Sequence, residues 1–287
     1  MKRIYLLLVA MLSVVTVDAS CREDNRFFIA DRGFGDIVME PRSSRMVFDE
    51  IEVSGAIRLI VEERTSGNII IRAPRQLLEY VTLFVSDHTL HASFRFPNSF
   101  GRRNIPGCVV EIYVPNNGRI SEITARGASI VNVKPTLAGA ELDVEASGAS
   151  RVSLSTIADK VSAELSGAST LRLEAQSREL DAEVSGASTL KCEGVIAARA
   201  EIEVSGASTI RIEEMSVAML DLEVTSASSA TARCDAGLLD VSGASSVTVE
   251  CAHTLAVSAS SASTVRYKGD CAVDVKSMTG ASSIKKM

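Results

Sequence analysis

Ser147-Gly148-Ala149-Ser150, Ser166-Gly167-Ala168-Ser169, Ser185-Gly186-Ala187-Ser188, Ser205-Gly206-Ala207-Ser208 and Ser242-Gly243-Ala244-Ser245 are copies of one tetrapeptide. Variants stand at Arg126-Gly127-Ala128-Ser129, Thr225-Ser226-Ala227-Ser228, Ser260-Ser261-Ala262-Ser263 and Thr279-Gly280-Ala281-Ser282. The second residue of each copy recurs at intervals of 21, 19, 19, 20, 20, 17, 18 and 19 residues. A period of this length marks units that cannot bury an apolar face alone and do so by stacking.

On either side of each copy the sequence alternates. Leu171-Arg172-Leu173, Leu190-Lys191-Cys192, Ile210-Arg211-Ile212, Val247-Thr248-Val249 and Val265-Arg266-Tyr267 follow it; Leu142–Val144, Val161–Leu165, Leu180–Val184, Ile202–Val204, Leu222–Val224 and Leu239–Val241 precede it. Period-two alternation means strands with one buried face. Short strands joined by a small-residue corner predict an all-β fold, a parallel β-helix (solenoid) with coils of about 19 residues, equivalent strands lying roughly 4.8 Å apart. Crossover chirality predicts a right-handed coil. The corner glycine is expected at positive φ, where a Cβ would clash.

Working outward, strand-like runs at Val47-Phe48, Ile51–Val53, Ile57–Val61, Ile69–Ile71, Val81–Val85 and Val109–Val114, with a partial corner at Ser54-Gly55-Ala56, predict that the same architecture begins near residue 46. The expected division is a signal peptide at 1–19, an N-terminal tether or cap at 20–45, and one β-helix at 46–287, with less regular coils at 46–125 and regular ones at 126–287. Phe94 to Gly107, with Pro97, Gly101, Pro106 and Phe100, reads as a protruding loop whose phenylalanines either fold back on the core or form a contact surface.

The chain starts with Lys2 and Arg3, an apolar run from Ile4 to Val17, and Val17-Asp18-Ala19, the pattern of an export signal. Two processing routes fit: cleavage near Ala19, or lipidation of Cys21, which Ser20 precedes and Arg22-Glu23-Asp24 follow. Both predict an exported protein of the periplasm or the outer-membrane surface, with membrane attachment only through lipidated Cys21. Losing residues 1–19 removes Lys2, Arg3 and Asp18, so the net charge goes from −6 to −7. An acidic chain without a basic run is not expected to bind nucleic acid.

Stacking turns spacing into surface. Glu145, Glu164, Glu183, Glu203, Glu223 and Asp240 precede successive corners by two residues, and Asp143, Asp181, Glu201 and Asp221 by four. They predict two outward carboxylate ladders, either a solvated face or a row of oxygens for a hard cation. Arg172, Lys191, Arg211 and Arg266, past the corner, are expected to relieve their repulsion. The calcium-repeat pattern is absent, and no metal ligands are assigned. Cys234 and Cys251, each six residues beyond the last serine of a corner, are expected at the same position of consecutive coils, as stacked thiols or a disulfide. The corner serines lack the surroundings of a nucleophile, and His88, His91 and His253 bear no fixed relation to one of them. No catalytic residue and no cofactor is assigned, and the chain reads as non-enzymatic.

The corners, the alternating strands and Glu111-Ile112-Tyr113-Val114-Pro115 together resemble the GIN domain, the adhesin head domain of exported bacterial proteins, over residues 46 to 230. The resemblance implies a right-handed parallel β-helix, export and an adhesive role, with a protein or glycan partner at the cell surface; self-association is compatible with it. The alternatives are a glycan-active β-helix enzyme, for which the absence of Trp leaves few sugar platforms, and a cation-stabilised rod.

Overall fold

The structure, a computed structural model, describes residues 35–42, 47–63, 67–96, 110–212 and 216–287. The expected export signal, Cys21, Cys108 and most of the loop expected after Phe94 lie outside the described residues. The first strands are β1 (Ile37–Arg42), β2 (Glu50–Gly55), β3 (Ile57–Glu62), β4 (Ile69–Pro74), β5 (Val81–Ser86), β6 (Thr89–Phe94), β7 (Val110–Pro115) and β8 (Glu122–Gly127), with a 3-10 turn at Arg75–Tyr80. The regular part holds β9 (Ile130–Ala146), β10 (Arg151–Leu165), β11 (Thr170–Val184), β12 (Thr189–Val204), β13 (Thr209–Ile212), β14 (Ser216–Val224), β15 (Ser229–Val241), β16 (Ser246–Ala259), β17 (Thr264–Lys268), β18 (Ala272–Met278) and β19 (Ser283–Lys286).

From β9 onward each coil pairs in parallel with the next, and the fold is the parallel β-solenoid that the period predicts. Leu171, Leu190, Ile210, Ala230, Val247 and Val265 are successive register partners and all are buried. Glu164, Glu183, Glu203, Glu223 and Asp240 form an exposed column. Among the described residues there is no α-helix. Val47-Phe48, expected in a strand, is irregular, although Phe48 is buried.

The corners show why the tetrapeptide recurs. Gly148, Gly167, Gly186 and Gly206 have φ of 73, 74, 75 and 76°. Each also lies against the corner before it: a Cβ on Gly186 would come within 2.5 Å of the Gly167 carbonyl oxygen. The same carbonyl accepts the Ala187 N–H at 2.7 Å, and the bonds at Ala149, Ala168, Ala207, Ala244 and Ala281 are 2.6–2.7 Å. Ser226 and Ser261 stand where glycine is usual, at φ 68 and 62°. There the equivalent bonds, from Ala227 and Ala262, lengthen to 2.9 Å. An added Cβ holds the two corners apart by a few tenths of an ångström. The last serine of each corner turns inward and is buried from Ser129 to Ser282. The hydroxyls of Ser228, Ser245 and Ser282 bond to corner backbone carbonyls, whereas Ser169 and Ser188 bond to each other at 3.2 Å, and Ser129, Ser150, Ser208 and Ser263 find no protein partner.

In β9 to β12, β15 and β16 the chain runs between corners as one long bent strand, whereas β13 and β14, and β17 and β18, remain separate. Coil-length differences are absorbed at the bend: the register slips between Ser177 and Glu179, between Ile196 and Arg199, and between Cys234 and Ala236. The corners themselves stay aligned.

The N-terminal coils depart from sequential stacking. β2 pairs with β6 on one side and β8 on the other, and β3 likewise lies between β7 and β9. The earliest coil therefore sits second in space, inside the coil made by β6 and β7. Antiparallel strands finish this end: β4 lies on β7, β1 on β4, and β5 on β6. Leu77 from the 3-10 turn is fully buried in the same core. Phe94, expected in the loop, is instead the last, buried residue of β6, and Phe96, edge-on to it at 6.0 Å, is partly buried against the same core.

Candidate binding surface

Three surfaces follow from these columns. The first is the carboxylate face, which is longer than the sequence suggested. One column runs Thr89, Glu50, Glu122, Asp143, Ser162, Asp181, Glu201, Asp221, Leu238. Its neighbour runs His91, Glu52, Thr124, Glu145, Glu164 and onward to Asp240. Glu50, Glu52 and Glu122 were missed although they obey the same count, Glu50 and Glu52 standing four and two residues before the partial corner at Ser54 and Glu122 four before Arg126. Desolvation, followed by the charges of Glu50 and Asp143, raises the Glu122 carboxyl above its ordinary value.

Repulsion along the face is relieved differently from the expectation. Arg199 reaches Glu201 at 2.8 Å and Asp221 at 3.6 Å, Lys160 lies 3.9 Å from Asp181, and Arg126 bridges Glu52 and Glu145 at 3.2 and 3.3 Å. These cations stand at the bend and the corner, within reach of the acids. Arg172, Lys191, Arg211, Arg266 and Lys285 instead share a basic register column with Thr231 and Thr248 past the corner, and it makes the second surface. Part of it lines a polar groove of about 350 Å³ with Ser153, Ser155, Glu174 and Glu193. Among the described residues no group of three or more His, Cys, Asp or Glu side chains converges as a metal-ligand set. His91 bonds Glu52 at 2.7 Å and stacks on Phe84, and His88 sits in the positive-φ turn between β5 and β6.

The third surface lies where the acidic face ends. In the column Asp143 to Asp221 the next members are Leu238 and Ala256, and in the column Glu141, Lys160, Glu179, Arg199 the next are Met219 and Ala236. Polar coils thus give way to apolar ones at the bend. Met219 and Leu238 are 57% and 47% exposed. With Ala236, Gly237, Leu255, Ala256, Ala272 and Val273 they line a groove of about 390 Å³, with Asp274 and Lys276 at its rim, 2.6 Å apart. Gly237 stands in the column between the buried Leu220 and Leu255, where a Cβ would come within 3.0 Å of Leu255 Cδ1 and 3.2 Å of Cys234 Sγ, so these neighbours already take up the space of its missing side chain. The groove forms where polar residues give way to apolar ones beside the register slip between Cys234 and Ala236, so neither the corner period nor the alternation marks it.

The cysteines lie beneath it. Cys234 and Cys251 are register partners, both buried and both free thiols, so the aligned register holds and the stacked-thiol form is the one present. Burial, and then the neighbouring Cys251, raise the Cys234 thiol above its ordinary value. Cys192, in a different column, is pushed up to about 12 by desolvation.

These strands, corners and columns define a parallel β-solenoid with an apolar groove among its charged surface columns. Residues 47–236 match the family described as "Putative auto-transporter adhesin, head GIN domain", and the chain belongs to it. Solved structures share the fold at 18% identity: an adhesin, so described provisionally, from Parabacteroides merdae (TM-score 0.62, covering 88% of this chain and 97% of that one) and a second from Parabacteroides distasonis (0.63, 88% and 98%). A "putative lipid binding protein" from Parabacteroides distasonis does so as well (0.64, 88% and 97%). No functionally curated protein matches. Among the described residues no helix is long and apolar enough to cross a membrane.

Proposed function

We propose that this chain is an exported, non-catalytic module of the bacterial envelope that adheres to a surface protein through the apolar groove at Met219, Leu238, Leu255 and Val273. The observation that carries this reading is the groove itself. Exposed apolar surface with a polar rim marks interaction sites, and the surrounding columns are charged and solvated. The floor of Ala236, Gly237, Ala256 and Ala272 is shaped for aliphatic side chains, and the Asp274–Lys276 pair offers both charges to a flanking polar segment. A sugar ligand would call for aromatic platforms, and the lining has none. Family membership supports the adhesive reading, and the rigid register supports display of the site away from the anchored end.

The test compares Met219→Asp and Leu238→Asp with Glu164→Gln and Glu183→Gln, on an array of purified envelope and extracellular proteins beside a glycan array. Groove variants should lose at least about tenfold in affinity for the protein ligand, consistent with a central contact, with unchanged melting. Loss only in the ladder variants, or binding only to glycans, would overturn the assignment. A second reading, an acyl chain in the same groove, is favoured by its apolar lining and by the lipid-binding description of one similar structure. A fluorescent fatty acid displaced by Leu238→Asp would select it.

A further inference from the structure

Beyond the stacked pair, a third thiol joins the column at its C-terminal end. Following the register, Glu250 lies opposite Lys268, so Gly269 falls beneath Cys251; a Cβ there would be 2.2 Å from the Cys251 carbonyl oxygen. Gly269 has φ 97° and presents no side chain. The chain turns through Asp270, and Cys271 packs against the core two residues later. Its thiol neighbours Cys251, which in turn neighbours Cys234. The Cys251 thiol also donates to the Thr254 carbonyl at 3.1 Å. Cys271 is partly exposed, whereas Cys234 and Cys251 are 2% and 1% exposed.

We infer that Cys251 and Cys271 form an oxidation-controlled disulfide that fastens the last coil to the one before it and fixes one wall of the apolar groove. Two geometric facts choose this pair over Cys234–Cys251. The Cys234 and Cys251 side chains leave aligned parallel strands in the same direction, while a disulfide needs a Cβ–S–S–Cβ torsion near 90°. Cys271 lies off that register, beyond the Gly269 turn, and it is the thiol of the three that a reagent can reach. With a disulfide donor RSSR the chemistry balances: the Cys271 thiolate attacks RSSR, forming R–S–S–Cys271 and releasing one RSH. The Cys251 thiolate then attacks the Cys271 sulfur and releases the second RSH. Two protein thiols are oxidised, the donor disulfide is reduced, and each attacking thiol gives up one proton.

The link matters because Cys271 adjoins Ala272, and Ala272, Val273, Asp274 and Lys276 form the groove's outer wall. That wall belongs to β18, whose residues are mostly exposed and which pairs with β16. The consequence for binding rests on the proposed groove function, but the disulfide does not.

The experiment treats the full chain with oxidised glutathione and maps its disulfides by non-reducing peptide mass spectrometry, then follows hydrogen exchange over residues 264–286. The expected result is a Cys251–Cys271 link and on the order of tenfold slower exchange in β18, as for a locally opening element that has been tied down. Cys271→Ser, at a partly exposed position, should abolish the link and the protection, and Cys234→Ala should keep both. Persistence of glutathione on Cys271, a Cys234–Cys251 link, bonding to Cys21 or Cys108, or thiols that stay free would each overturn the proposal. Groove binding is measured separately, so failure of the adhesive reading leaves the mapped bond standing.

Discussion

The two ends of the solenoid solve one problem differently. At the N-terminal end antiparallel β1, β4 and β5 lie over the last parallel strands and Leu77 plugs the core. At the other end β18 and β19 finish the stack, with Val275 and Met278 47% and 53% exposed. Open strand edges are aggregation hazards. One end is covered by extra chain; the other carries Lys276, Lys285 and Lys286 and a register slip between the partners of Val257 and Ser258, devices that discourage further pairing. A solenoid closes an end by changing strand direction or blunts it with charge, and this chain does one at each end.

The largest effect that can test this comparison concerns the corners that both ends share. Gly186→Val forces a branched residue into positive φ and against the Gly167 carbonyl, and should cost at least about 3 kcal/mol. Gly118→Ala has the same strain in open space and should cost about 1 kcal/mol by chemical denaturation. Equal losses would remove the close approach as the cause. Next, Leu77→Ala should cost about 2–4 kcal/mol, whereas Val275→Ala should stay within about 0.5 kcal/mol. Its register partner Val257 is fully buried and should respond as core. A Val275 loss matching that of Val257→Ala would mean that the second end is covered after all. Ser226→Gly should stabilise by about 1 kcal/mol as the lengthened corner bond relaxes.

The smallest effect is electrostatic. Because the Glu122 carboxyl is raised in the folded state, the folded chain takes up its proton first as pH falls. Stability at this site is therefore lowest above the folded value, improves as pH falls through it, and levels off below the unfolded value. Glu122→Gln should raise stability at pH 7 by ~0.3–0.5 kcal/mol after solvent screening. It should also flatten that stretch of the melting-versus-pH curve, and a curve unchanged by the substitution would assign the effect to other acids.

Much of this was legible in the chain. The corners declare themselves because Ser-Gly-Ala-Ser must repeat wherever two backbones touch, and Leu171, Glu164 and Cys234 could be placed by counting from them. The N-terminal order was not legible: Ser54-Gly55-Ala56 looks like a first corner, and nothing local says that β2 will pair with β6 and β8 at once. Counting also placed Arg172, Lys191 and Arg211 as relief for the acids, yet side-chain reach gave that role to Lys160, Arg199 and Arg126. The groove escaped because it depends on the place where unequal coils lose register. Cys271 escaped the thiol column because the turn at Gly269 breaks the count.

The out-of-order coil also sets a timetable. β2 and β3 need β8 and β9 as inner neighbours, partners about seventy residues further along the chain. A ribosome delivers the N-terminus first. Through that interval β2 and β3 wait as unfinished edges, and the arrival of β8 and β9 completes their sheet on the inner side. Assembly of this end is then governed by chain supply as much as by pairing strength, and a pause placed after β3 would lengthen the stage in which the molecule is most exposed to chaperones and proteases.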